Sequence, residues 1–385
     1  MGPLAGLRVV EIAGIGPAPF CGMMLADMGA DVILVQRKSI NSSAAGAADP
    51  TAMGKCAIFN RGKKSITLDL KKPAAVEVVL KLVETADALI EGFRPGVVER
   101  LGLGPEICLQ RNPALIFGRM TGWGQYGPLA KAAGHDINYI ALSGALYYSG
   151  PSDKAPSAPP TLVGDLGGGA MMLVTGILAG ILNAKQTGKG QVIDAAITDG
   201  SALLNTLLLS FHQLGSWSNQ RSENMLDGGS PWYDTYECAD GNYVTIGSLE
   251  PQFYEMLLDK CGLSHDPDFA VQFGKADWLK AKETMAALFI TRTRAQWCDL
   301  MEGTDVCFAP VLNFEEAAAH PHNRERGTYL ETDGVLQPAP APRFSVTPQT
   351  VDSTPPIQGA DTDEILGELG YTDDQINSLS TDGVV

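Results

Sequence analysis

The sequence predicts an α/β protein whose larger domain is a doubly wound parallel sheet and whose smaller domain is α+β. Two observations carry the first part: apolar strands alternate with helical patterns through the first 120 residues, and a glycine-rich turn joins the first strand to the first helix. The smaller domain rests on a change of pattern beyond about residue 197, where a hairpin and then helices replace the alternation. A chain of 385 residues, 45% hydrophobic and 19% charged, is long enough for two or three domains.

Leu7 to Ile12 reads as the first strand and Gly14-Ile15-Gly16 as the turn after it. Phe20, Met23, Met24 and Met28 then recur at helical spacing, and Val32 to Val35 is a second strand, which completes a βαβ unit. The turn is close to a dinucleotide fingerprint, with Pro19 where the third glycine would stand. Gln36-Arg37-Lys38 follows the second strand, where an acidic residue would hold the ribose of NAD. Basic residues there favour a phosphorylated ribose, that of NADP or of the 3′-phospho-ADP of coenzyme A.

Pro73 opens a helix with Val76, Val79, Leu80 and Val83 as its apolar face, and Ala88 to Ile90 and Ala114 to Met120 read as further buried strands. Ligands of such sheets sit at the carboxyl ends of the strands, where Arg94 and Arg119 fall. The apolar run 170–182 is too short for a membrane span and reads as a buried core helix. Trp232 to Glu237 and Tyr243 to Ile246, joined at Asp240-Gly241, form a hairpin, with helices through residue 300. Gln337 to Pro342 reads as a stiff linker, and Thr362 to Gly370 as a short helix closed by glycine. The expected domains are a large domain over 1–196, linker helices over 197–231, a small domain over 232–318, a linker over 319–337, and a segment over 338–385 that returns to the large domain.

The charge of −16, from 28 basic and 44 acidic residues, disfavours nucleic acid and anionic membrane surfaces, but leaves small phosphates within reach of a few placed cations. Seven cysteines without a C-x-x-C pair argue against a disulfide framework or a zinc site and fit a reducing compartment. No targeting signal is seen at either end. The expected location is the cytoplasm, with a peroxisome or mitochondrion the alternative in a eukaryote.

Among residues able to carry chemistry, His135 stands in Gly134-His135-Asp136-Ile137-Asn138-Tyr139 ahead of an apolar helix, as either a neutral general base or a surface cap. Asp165, in Gly164-Asp165-Leu166-Gly167-Gly168-Gly169, is an N-cap or a reactive carboxyl, the glycines allowing a ligand to come close. Glu250 precedes Pro251 at a helix start, where glutamate is an unusual cap. Met120, Met171, Met172 and Met225 are core fillers or a soft surface for aliphatic groups. Lys63-Lys64 reads as a solvated face and His320-Pro321-His322 as a loop, with no metal site expected. Serine-hydrolase, P-loop and zincin motifs do not occur.

The segments GLRVVEIAGIGPAPFCGMMLADMGADVI, NRGKKSITLDLK, EGFRPGVVERLGLG and GRMTGWGQYGP resemble the N-terminal domain of the class III coenzyme A transferases. GHDINYIALSG, NMLDGGSPWYDTY, GSLEPQFYE, APVLNFEEA and PAPAPRFS are similar to the racemase branch of that superfamily, the α-methylacyl-CoA racemases. The resemblance spans nearly the whole chain and implies a Rossmann-like large domain in an interlocked homodimer. It implies interconversion of (2R)- and (2S)-2-methylacyl-CoA thioesters through an enolate, with no cofactor beyond the coenzyme A of the substrate. It places His135 and Asp165 on opposite faces of the substrate α-carbon. By the same resemblance Glu250 orients His135, in the other subunit's site. The main-chain N–H of Asp136 contacts the oxyanion, and Arg37 and Arg94 hold the phosphates.

Where family members commonly have an acidic residue, Arg and Pro, this sequence has Gln36-Arg37-Lys38-Ser39 and an Ala/Ser-rich stretch to Met53, which predicts a longer, flexible loop by the adenine. The alternatives are a CoA transferase forming an Asp165 anhydride, a scaffold that keeps the fold without activity, and an NADP dehydrogenase, which Pro19 disfavours.

Overall fold

A computed structural model describes residues 2–37, 53–351 and 354–385. The loop expected after Arg37, including Lys38 and Ser39, lies outside the described residues up to residue 52. The chain divides into two compact units, one of Met1–Ser143, Pro159–Leu204 and Arg324–Val385, the other of Gly144–Ala158 and Asn205–Asn323.

The first unit is built on six parallel strands, β1 (Arg8–Ile12), β2 (Asp31–Gln36), β3 (Lys64–Thr67), β4 (Ala88–Glu91), β5 (Ile116–Thr121) and β6 (Gln191–Ala196), in the order β3-β2-β1-β4-β5-β6. The direction of winding reverses between β1 and β4, which opens a crevice at their carboxyl ends. Successive side chains point to opposite faces, so each strand feeds two cores. Val10, Ile12, Ile33 and Val35 pack with α2 (Pro73–Glu84) and with Ile365 and Leu366 of α14 (Thr362–Glu368). Val9, Val32, Ala88 and Ile90 pack with α1 (Pro17–Asp27) and α6 (Met171–Thr187). Truncating a side chain such as Phe117, fully buried in the first core, costs about 3–5 kcal/mol.

Several sequence expectations need correction. The buried face of α2 is Ala75, Val78, Val79, Leu80, Leu82 and Val83, broader than expected, while Val76 is only partly buried. Strands β3 and β6 are too short or too polar to have been read as strands. The apolar run is part of a 26-residue helical stretch, Leu162–Thr187, so length does not exclude a span. Its inner side nevertheless packs on the sheet. A Cβ on Gly118 of β5 would stand 3.0 Å from Leu173 and 3.2 Å from Ile177.

Lys63 is not on a solvated face. Its side chain is completely buried and its ammonium lies 2.7 Å from Glu11 Oε2, on an equally buried carboxylate of β1. The pair permits burial of both charges; removing either partner strands the other at roughly 3–5 kcal/mol. Arg61 is buried nearby and forks onto Asp27, Nε to Oδ1 at 2.9 Å and Nη2 to Oδ2 at 2.6 Å. Its Nη1 donates to Gln337, so the expected linker starts instead as strand β11 (Val335–Pro338), paired with β10 (Tyr329–Thr332).

The second unit has a three-stranded antiparallel sheet, β7 (Tyr233–Glu237), β8 (Tyr243–Gly247) and β9 (Phe308–Pro310), with helices α9 (Pro251–Cys261), α10 (Trp278–Phe289) and α11 (Arg294–Met301). The expected hairpin turns at Gly241, whose φ of 72° needs glycine. Its aromatic core is polar-satisfied: Trp297 Nε1 donates to Phe289 O at 2.8 Å, and Tyr236 stacks on Phe289 with centroids 4.9 Å apart.

Candidate active site

A cleft of about 540 Å³ lies at the carboxyl ends of β1, β4 and β5, where the sheet order reverses. Its walls carry His135 and Asp165 together with Arg94, Met120, Trp123 and Tyr139. Each comes from a segment that the local sequence fixes. Gly16, at φ 71°, ends the turn after β1, and a Cβ there would stand 3.4 Å from Asp165 Oδ2. The Arg94 loop is set by Glu91, the last residue of β4, which is fully buried and accepts the Phe93 N–H at 2.7 Å. Arg119 is consumed in the same network, Nε to Glu91 at 2.8 Å and Nη1 to Glu99 at 2.8 Å. The strand-end arginine that faces the cleft is therefore Arg94, while Arg119 is a buried strut.

His135 is the N-cap of α5 (Asp136–Leu142), and its main-chain N–H donates to Asn138 Oδ1 at 3.0 Å. The Tyr139 hydroxyl donates to Gly134 O, and its ring meets Trp123 edge-on at 4.7 Å. Asp165 is not an N-cap: it lies inside a π-helical segment, Leu162–Ala170, that runs into α6. Wide turns of this kind are frequent at functional sites. The surrounding glycines serve helix contacts rather than a ligand. A Cβ on Gly168 would stand 2.4 Å from Ser201 Oγ on α7 (Ile197–Leu204), and one on Gly164 would stand 2.2 Å from Asp136 Oδ1. With that space clear, Asp136 Oδ1 accepts the main-chain N–H of Asp165 at 2.7 Å.

The half-buried Asp165 carboxyl is pushed up to about 6, chiefly by burial and then by the Asp136 charge, with His135 opposing. Burial, then the Asp165 charge, also raises the Tyr139 phenol, against the pull of Arg94. Two groups able to hold a proton near neutrality thus line one cleft, beside a cation.

Residues 4–362 match the CoA-transferase family III. The chain belongs to this family. It is 43% identical over 385 residues to the α-methylacyl-CoA racemase of Mus musculus, covering 99% of this chain and 97% of that protein. It is 42% identical over 384 residues to the enzyme of the same name from Homo sapiens, again covering 99% and 97%. A solved CAIB/BAIF family protein from Brucella suis superposes with a TM-score of 0.80 at 27% identity, covering 96% of this chain and 99% of that one.

In this family III protein the remaining candidates are distributed more widely. Arg37 is exposed at the end of β2, its carbonyl accepting from Gln358 at 2.7 Å, and does not line the cleft. Gln36 beside it is buried and accepts from Ser65 Oγ at 2.7 Å. Of the methionines, Met120 is buried at the cleft, whereas Met171 is 41% exposed and Met172 half-buried at the start of α6, neither lining it. Met225 packs against the aromatic core of the second unit. Glu250, also in that unit, is the N-cap of α9 and makes no side-chain cap bond. His320 Nε2 lies 2.7 Å from Glu302, and His322 lies in the first turn of a short helix, α13 (Pro321–Arg326), rather than in a loop. Sequence reasoning missed Tyr139 and the Asp136 side chain. The signal for Tyr139 was its place four residues after His135, a helical neighbour spacing.

Proposed function

We propose that the protein is a 2-methylacyl-CoA racemase that inverts the α-carbon by moving one proton off one face and another onto the opposite face. The observation that carries the reading is the pairing in one cleft of His135 with an Asp165 whose carboxyl is pushed up to about 6. The likeness to the two named racemases, over nearly the full length of each, supports it.

A thioester α-proton is weakly acidic, so its removal needs a base near neutrality and a donor for the charge that moves onto the thioester oxygen. In one direction neutral His135 takes the proton. The C–H electron pair delocalises to the oxygen as an enolate, and protonated Asp165 delivers its proton to the other face. The reverse direction exchanges the roles. The main-chain N–H of Asp136, at the first helical position of α5, is suited to the enolate oxygen because a first-turn N–H has no intrahelical acceptor. Arg94, and Arg37 at the neighbouring strand end, are the cations proposed for the coenzyme A phosphates. No electron changes hands, so the step requires no redox cofactor, and coenzyme A enters as part of the substrate.

A CoA transferase would use Asp165 alone as a nucleophile, whereas the cleft here sets a second acid-base group, His135, beside it. We also propose a homodimer, which would cover Leu207, Leu209 and Leu214, each more than half exposed; light scattering tests it. The seven free cysteines support a reducing compartment such as the cytoplasm. The reading is tested by incubating one epimer of a 2-methylacyl-CoA with the enzyme and following its configuration, which must be lost.

A further inference from the structure

Beside the catalytic cleft lies a second, apolar cleft of about 260 Å³. One wall is formed by Ile15, Gly16 and Pro19, the other by Met53, Phe59 and Asn60. Ile15 and Gly16 also line the catalytic cleft, so the two are contiguous. The Lys63 ammonium sits behind both walls of the apolar cleft. It donates to Pro19 O at 3.0 Å on one wall and to Asn60 Oδ1 at 3.3 Å on the other, and is held from below by Glu11 Oε1 at 3.0 Å.

We propose that Lys63 is a positioning residue that fixes the separation of these two walls, and with it the fit of the apolar part of a CoA thioester. The proposal rests on the acyl-CoA reading of the neighbouring site. Three features set this ammonium apart from a packing residue. An apolar pair of the same volume would satisfy the fold at lower desolvation cost, so the buried charges need another reason to be there. An ammonium has three donors, and here they reach β1, the first turn of α1 and the 58–60 turn, which no aliphatic side chain can join. The space for the pair is also kept open: a Cβ on Gly22 would stand 1.8 Å from Glu11 Oε2 and 3.1 Å from Lys63 Nζ.

The test uses the full chain and two probes, decanoyl-CoA and free CoA, with calorimetric Kd values. The double variant Lys63→Met/Glu11→Leu removes the staple without leaving a buried charge unpaired. Asn60→Ala cuts one leg only. The expected result is a Kd for decanoyl-CoA about tenfold weaker in both variants at an unchanged melting temperature. Wild-type binding with an unchanged Kd in the double variant would overturn the proposal. If that variant does not fold, an unchanged Kd in Asn60→Ala overturns it alone. A wild-type protein that binds neither probe would overturn the acyl-CoA reading, and the proposal with it.

Discussion

Asp136 Oδ1 accepts the main-chain N–H of Asp165 at 2.7 Å, which ties the start of α5 to the π-helical segment and sets one carboxylate against another. The contact fixes Asp165 in the cleft and, through like charge, helps hold its carboxyl up at about 6. Position and protonation therefore have a common origin.

Asp136→Asn keeps an acceptor for the Asp165 N–H but removes the charge that raises the Asp165 pKa. On the proposed mechanism the active enzyme holds one proton between His135 and Asp165, and its pH window closes on the acid side where the Asp165 carboxyl, pushed up to about 6, takes a second. Lowering the Asp165 pKa widens that window downward. The acid limb of kcat/KM against pH should therefore move to lower pH, equally for both epimers because they use the same singly protonated enzyme. An acid limb that stays in place would show that Asp136 does not tune Asp165.

His135→Ala and Asp165→Ala each remove one partner of the proton transfer. Racemisation should fall by about 10²–10⁴-fold in each, with coenzyme A binding largely retained. Rate measurements on both epimers, alongside a Kd for free CoA, check this.

Arg94→Met removes an exposed cation at the cleft. The KM for CoA thioesters should rise about tenfold or more, with a weaker salt dependence than in wild type. A KM unchanged across ionic strengths would remove Arg94 from the phosphate contact.

Gly164→Ala would place a methyl 2.2 Å from Asp136 Oδ1 and 2.9 Å from Ile140 Cγ2. Overpacking of this kind costs about 1–3 kcal/mol, and here it also breaks the contact that orients Asp165. Both the melting temperature and kcat should drop; a variant with native kcat would show that the close approach is dispensable.

Much of the sheet was legible because its central strands are continuous apolar runs, as burial on both faces requires. Strand β3, KSIT, was not, since it is four residues long and its first residue, Lys64, follows a second lysine, Lys63, whose different fate local pattern cannot tell apart. Lys63 turns inward to Glu11, while Lys64 pairs at 2.9 Å with Glu364, 300 positions away. The same limit explains Arg119 and Arg94: both lie near the carboxyl end of a strand, and only the fold shows that Glu91 and Glu99 occupy the first. At the site, His135 was legible as a helix cap in an unusual setting. Asp165 was singled out by its glycines for a reason the structure replaces, because Gly164 and Gly168 make room for Asp136 and α7. Wide helical turns have no sequence period of their own, so the π segment went unread.

The central claim is that one proton leaves the α-carbon and another returns on the opposite face. Incubation of a single epimer of a 2-methylacyl-CoA with the enzyme in D₂O, followed by mass and configurational analysis, tests it most directly. The predicted result is one deuterium at the α-carbon accompanied by loss of configurational purity. Retained configuration without deuterium, in a preparation that moves coenzyme A to a free carboxylate through an Asp165 adduct, would contradict it.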